Sequence, residues 1–235
     1  MKIAIMQPYF LPYIGYIQLI NAVDKFVIYD DVNYIKGGWI NRNNLLLNNQ
    51  KFLFTVPLEG SSAFKKIDEI VINKRLYDKW CKKLLISIEQ SYKKAPYFSE
   101  VFLLLKKIVE IEETISISEY NYNSIILICK FLNIKTEIIK SSRIYDNIDL
   151  SRESRIYDIC SKENSKSYVN PIGGMELYNK ESFLKEGIKL NFLKTNEIVY
   201  KQFENEFVPW LSIIDVMMFN DVKEIKDMLE QYELV

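Results

Sequence analysis

The sequence predicts an α/β fold: a Rossmann-like open sheet, mainly parallel, with an antiparallel edge hairpin and a helical insertion. Three observations carry this. Lys2–Met6 and Lys25–Tyr29 each hold a short apolar run, Ile3–Met6 and Phe26–Tyr29, and are joined by a helical pattern, which makes a βαβ unit. Strand and helix patterns alternate again after residue 134, as a parallel sheet requires. Between the two regions, residues 75–133 carry only helical patterns. The 235 residues suit one domain, 1–235, with residues 75–133 inserted between two halves of one sheet.

Taken in order, the first strand is Lys2–Met6, closed by Pro8. Pro8 and Pro12 fix φ and lack a donor, so Gln7–Tyr16 is a turn, and Gly15 allows a close backbone approach. Ile14, Ile17, Leu19, Ile20 and Val23 have helical spacing, so a helix runs over Ile17–Val23. Phe26–Tyr29 is β-branched or aromatic and forms the second strand. Leu45–Leu47 and Phe52–Val56 flank Asn48-Asn49, a hairpin that would sit at the sheet edge or close over the first turn. Ile67–Ile72 reads as another strand. Leu76, Trp80, Leu84 and Ile88 make one helical stripe, Pro96 ends that region, and helices follow over 98–112 and from Ser118. Later come a strand at 136–139, a helix at 151–163 with Ser151 as its cap, and strands at 167–170 and 190–193. A helix at 210–218 follows, and a last helix runs through Tyr232, capped by Asn220 or Asp221.

Composition narrows the functional classes. Lys+Arg and Asp+Glu are 31 each, so no basic excess marks a nucleic-acid partner. Cys81, Cys129 and Cys160 are widely spaced and odd in number, which reads as reduced and cytoplasmic. No apolar run reaches the ~18 residues of a membrane span, and the start is too short for a signal peptide. The chain has no histidine, so histidine-ligated metal and Ser-His-Asp or Cys-His catalysis are excluded. Proton transfer would fall to Asp, Glu, Lys, Tyr or Cys.

In open parallel sheets, ligands bind beyond the carboxyl ends of the strands, and both polar clusters lie at such ends. After the first strand, Gln7, Tyr9, Tyr13, Gly15 and Tyr16 would form a pocket of hydroxyls, amide and aromatic faces; the alternative is a structural turn. After the second, Asp31 would be a general base, with Lys36 and Arg42 clamping phosphates; the alternative is a local Asp–Arg bridge. Asp30, Trp39 and Asn41 would line or shape that loop. Asn170 and Gly173, at another strand end, could present backbone amides to an anion. Ser212 and Asp215 could bond a substrate or merely cap a helix. Cys160 lies on an apolar helix face with no histidine to activate it.

The run MQPYFLPYIGYIQLINAVDKFVIYDDVNYIKGGWINRN, Met6 to Asn43, strongly resembles the WbqC-like family. So do Ser91–Phe98, Tyr168–Gly174 with Leu177-Tyr178, and Leu211–Asp215, which extends the match over nearly the whole chain. That family is associated with bacterial gene clusters for surface polysaccharides such as O antigen. The resemblance implies an enzyme of that biosynthesis, transferring an acyl or aminoacyl group to a nucleotide-linked amino sugar or acting as a nucleotidyltransferase-like ligase. The alternative is a non-catalytic nucleotide-sugar-binding or assembly protein. The first turn also looks like that of the nucleotidylyltransferase superfamily, with Tyr13-Ile14-Gly15-Tyr16 standing where that superfamily has His-x-Gly-His. ATP with Mg²⁺ or an acyl donor both fit as cofactor, a nucleotide or nucleotide sugar fits as the partner, and the oligomeric state stays open.

Overall fold

The structure is a computed structural model describing residues 1–204 and 206–235. β1 (Lys2–Met6), α1 (Ile14–Asn21) and β2 (Lys25–Ile28) form the opening βαβ unit, with β1 parallel to β2 from Ile3–Lys25 to Met6–Ile28. The chain then leaves the sheet. β3 (Arg42–Leu47) and β4 (Gln50–Thr55) pair as a hairpin, and β5 (Leu58–Glu59) pairs with β6 (Val71–Ile72). α2 (Lys74–Tyr92), α3 (Phe98–Val109) and α4 (Ile117–Phe131) follow. β7 (Glu137–Ile139) returns to the sheet beside β2. α5 (Arg152–Lys162), β8 (Ser167–Pro171), α6 (Lys180–Lys185) and β9 (Lys189–Thr195) come next, then α7 (Ile213–Phe219), α8 (Val222–Leu229) and β10 (Tyr232–Leu234).

The six-stranded sheet has the order β10-β9-β8-β1-β2-β7, parallel except for the β10–β9 edge pair. The chain steps one way from β1 to β2 and β7, then crosses to β8 on the other side of β1. The loops after β1 and β8 therefore diverge, the place where open sheets form a crevice. Alternating residues feed two cores. Ala4, Phe26, Ile28, Val169 and Leu193 join the larger core with α1 and the helices of residues 74–131. Ile3, Ile5, Val27, Tyr168 and Phe192 join a smaller one with α5 and α6.

Several boundaries differ from the sequence expectation. α1 starts at Ile14, directly behind Pro12, so Gly15 and Tyr16 are helical. The β3–β4 hairpin is a sheet of its own, turning on Asn48 and Asn49 at positive φ. The antiparallel edge is β10, which begins at Tyr232, the last residue read as helix; α8 itself ends at Leu229. Residues 67–69 form a 3-10 turn, leaving only Val71–Ile72 extended. α2 buries Tyr77, Leu84, Ile88 and Tyr92 and exposes Leu76, because the Tyr77 hydroxyl bonds to the Val109 carbonyl (2.9 Å) and lies 2.7 Å from that of Tyr120. Ser151 stands at the N-cap of α5, but its hydroxyl pairs with Ser154. α7 begins at Ile213. Asp221 caps α8 reciprocally with Glu224.

Glu163, just after α5, gives a pH prediction. Burial opposes its ionisation, but bonds from Lys25 (2.6 Å) and Tyr145 (2.6 Å) outweigh it and hold the carboxyl below its ordinary range. Its contribution to stability is therefore present above the unfolded value of about 4.3 and disappears as pH falls through the depressed folded value. Thermal melts of Glu163→Gln should fall below wild type at neutral pH and converge with it in acid.

Candidate functional site

The turn after β1 and the loop after β2 are locked together. The Phe10 amide bonds to the Trp39 carbonyl (3.4 Å), and Asn43 Nδ2 to the Leu11 carbonyl (2.8 Å). Buried Asn121 donates to the carbonyls of Pro8 (3.0 Å) and Ile40 (2.7 Å). α7 is tied to the same turn: Ser212 Oγ donates to the Leu11 carbonyl (2.7 Å), and the Ile213 amide to that of Pro12 (2.7 Å). Ser212 also accepts from the Ile214 amide as the helix cap.

These ties make one wall of a cleft of about 530 Å³ at the carboxyl end of β9 and the N-terminus of α1. Tyr13, Thr195, Glu197, Tyr200, Phe207 and Trp210 line it, with Leu211 and Val216 at the back. The Tyr13 and Trp210 rings stand 6.0 Å apart, and Tyr200 meets Phe207 edge-on at 5.0 Å. Among the described lining residues Glu197 alone is charged.

Behind the cleft lies Asp215, fully buried. It accepts from Tyr92 (2.7 Å), Tyr200 (2.6 Å) and Gln202 (2.6 Å). Burial raises its pKa, against these three bonds, which lower it. Burial and the neighbouring Asp215 push the Tyr200 hydroxyl far up, so it stays neutral and its proton points at the carboxylate.

The backbone marks the same place. Eight described non-glycine residues have positive φ, and five of them are Asn or Asp, which tolerate it. The other three are Leu11 (+43°), Phe203 (+51°) and Trp210 (+62°). Trp210 lines the cleft and Leu11 lies in the turn bonded to its wall, whereas Phe203 faces a separate hollow beside Asn48 and Gln90. Strain of this kind concentrates at ligand sites.

Gly15 is needed here for space. A Cβ would stand 2.5 Å from the Tyr13 ring and 2.6 Å from Thr195 Oγ1. Gly15→Ala should displace Tyr13 and destabilise the protein by about 1–3 kcal/mol, seen as a lower melting temperature.

The other predicted residues sit elsewhere. Tyr16 is buried against Phe26 and Tyr9, its hydroxyl donating to the Gln7 carbonyl (2.9 Å). Tyr9 is half-buried beside it, and Gln7 is half-buried at the end of β1. Asn41 accepts from Tyr34 (2.8 Å) and donates to the Val56 carbonyl (2.9 Å). Arg42 donates to the carbonyls of Gly37 and Gly38 and lies over the Trp39 ring at 5.7 Å. Lys36 is exposed. Asn170 accepts from Tyr168 (3.0 Å) on the far side of β1, and Gly173 stands open beside it.

Asp31 and Asp30 belong to a buried network that does not include Lys36 or Arg42. Both Asp31 oxygens accept from Arg155 Nη2 at 2.7 Å, and Ser142 donates to one of them. Arg155 lies over Tyr29 at 4.8 Å and bonds to Asn147 (3.0 Å). Asp30 accepts from Ser118 (2.5 Å) and Ser141 (2.7 Å), and burial, opposed by these bonds, raises its pKa. Burial pushes the Cys160 thiol up to about 12, which leaves it unreactive. Among the described residues no group of three or more Cys, Asp or Glu could hold a metal ion, and no helix is long and apolar enough to cross a membrane.

Sequence reasoning did not find Arg155, Tyr200, Phe207 or Trp210. For Arg155 a signal exists: it shares the inward stripe of Ile156, Ile159 and Cys160, where an arginine requires a partner.

A parallel α/β sheet with an aromatic cleft at its carboxyl edge and no histidine chemistry defines the class of protein. Within that class, the WbqC-like protein family model matches residues 7–227, and the chain belongs to that family. The chain is also 30% identical over 230 residues to the uncharacterized protein Rv1507c of Mycobacterium tuberculosis, covering 97% of each. No solved structure matches.

Proposed function

We propose that the protein is a sugar-modifying transferase of bacterial surface-polysaccharide synthesis, with the amino sugar of a nucleotide-linked substrate held in the aromatic cleft. The observation that supports this reading is Trp210, held in a strained left-handed backbone and exposed, with its ring tilted against that of Tyr13 (6.0 Å) in the wall of the cleft. Aromatic faces suit the C–H faces of a sugar ring, and a carboxylate at the rim suits an amine. Without a lining cation, recognition falls on the sugar, and the phosphates extend outward.

In acyl transfer the amine nitrogen attacks the donor carbonyl. The C–N bond forms, the bond to the donor's leaving group breaks, and the nitrogen loses a proton. Glu197, not Asp31, would take that proton, because both Asp31 oxygens are engaged with Arg155. Tyr200, fixed by Asp215, would accept a hydrogen bond from a sugar hydroxyl.

The test is mass spectrometry of UDP- and dTDP-amino sugars incubated with acyl and aminoacyl donors. N-acylation by wild type, lost in Glu197→Gln with binding retained, is the expected result. Tight binding of the sugar without turnover by any donor would favour the non-catalytic binding protein. That second reading draws on the ion-paired state of Asp31.

A further inference from the structure

Two surface loops, 33–42 and 60–66, lie side by side. The Tyr34 amide bonds to the Lys65 carbonyl (2.9 Å), and the Ile67 amide to that of Val32 (3.0 Å). Asn33 and Lys66 form an antiparallel bridge between them, and Lys66 Nζ donates to Asn33 Oδ1 (2.9 Å). Beyond this bridge the second loop turns, the Lys65 amide bonding to the Ser62 carbonyl (3.1 Å), which leaves Phe64 at the tip of the turn. Tyr34 is buried, so the residues on either side of it face outward. Phe64 is 95% exposed, Ile35 54% and Trp39 44%. Hydrogen-bonded loops thus hold three large apolar side chains in water, one of them almost completely.

Lys36, Arg42, Lys65 and Lys66 surround these tips. Among the described residues none of the four is ion-paired with a carboxylate. The surplus is local: from Val32 to Leu58, 27 residues contain no Asp or Glu, in a chain whose net charge is zero. Of the acids that follow, Glu59 is exposed ahead of the second loop, while Asp68 and Glu69 are turned to other partners. Asp68 is bridged by Arg143 (2.5 Å), and Glu69 accepts from the Lys66 backbone amide.

We propose that this double loop docks the protein on the surface of an anionic lipid bilayer. Apolar and aromatic tips enter the headgroup region, while lysine stems lie along it with their ammonium groups at the phosphates. The four cations select an acidic surface. The exposed Phe64 selects a bilayer over a soluble polyanion, which offers no apolar phase. The inference is independent of what the cleft binds.

Vesicle co-sedimentation tests it, with phosphatidylcholine alone or mixed with phosphatidylglycerol. Wild type should bind the mixed vesicles at low salt, bind the neutral ones far less, and release as salt rises. Each lysine near an anionic leaflet strengthens partitioning about fivefold, so Lys36→Gln with Lys65→Gln should weaken it roughly 25-fold. Phe64→Ser should also weaken it, with an unchanged melting temperature, and Leu184→Ser, exposed on α6, should bind as wild type. A blue shift of tryptophan emission on binding should vanish in Trp39→Phe. No binding to mixed vesicles, or equal binding to neutral ones, overturns the proposal. So does binding indifferent to Phe64, which would indicate a charge contact such as RNA makes. Concentration-dependent self-association lost in Phe64→Ser, with no vesicle binding, would overturn it in favour of a dimer face.

Discussion

Arg155→Ala is expected to destabilise the protein by about 3–5 kcal/mol, the effect of leaving a buried carboxylate without its partner. Arg155 and Asp31 are both buried, and each Asp31 oxygen lies 2.7 Å from the same guanidinium nitrogen. For a chain of this length the melting temperature should drop by about 6–20 °C. Arg155→Lys should recover little, because one ammonium cannot bond to both Asp31 oxygens and Asn147 while lying over Tyr29. A double variant, Arg155→Met with Asp31→Asn, should lie well above Arg155→Ala, since it removes the orphaned charge. A drop of under about 1 kcal/mol in Arg155→Ala would show that water reaches Asp31 and that the pair does not hold β2 to α5.

Trp210→Asn is expected to separate stability from binding. Asparagine tolerates the left-handed region, so the exchange should relieve about 1 kcal/mol of backbone strain. The Trp210 ring is 67% exposed, so little core is lost with it. The melting temperature should hold or rise by a few degrees, while affinity for the cleft ligand falls by about 2 kcal/mol, roughly thirtyfold. A fall in both would make Trp210 an ordinary packing residue. A rise in stability with unchanged affinity would move the ligand away from the aromatic wall.

What could be read from the sequence divides along physical lines. β1 and β2 were legible because a strand buried on both faces leaves a continuous apolar run, and β8 and β9 from shorter apolar stretches closed by Pro171 or interrupted by Asn191. The β3–β4 turn was legible because Asn48-Asn49 supplies the left-handed residues it needs. β10 was not: it spans only Tyr232–Leu234, with two exposed residues, and it depends on β9 to exist. The N-terminal turn carries a site expectation because of its density of Tyr and Pro, and Tyr13 of that turn lines the cleft. Its opposite wall was not legible, because the residues that meet Tyr13, Thr195 and Trp210, belong to a stretch without periodicity and reach it only through tertiary contacts. Tyr13 lines the cleft with Gly15 close under its ring, while Ser212 is bonded to Leu11 of the same turn and Asp215 lies behind, bonded to Tyr200, about 200 residues away in sequence. Asp31, Lys36 and Arg42 are close in sequence but make separate contacts, since Asp31 faces α5 while Arg42 closes its own loop.

The most direct test of the account is ligand-dependent melting of wild type and Trp210→Asn with UDP- and dTDP-amino sugars, the parent nucleotides and the free amino sugars. A ligand at 100 times its Kd adds about 2.7 kcal/mol of stability. A shift is expected with the nucleotide-linked amino sugar, a smaller one with the free amino sugar, little with the nucleotide alone, and a greatly reduced shift in Trp210→Asn. Equal shifts in the two proteins, or a shift with the nucleotide alone as large as with its sugar conjugate, would contradict a sugar-binding aromatic cleft.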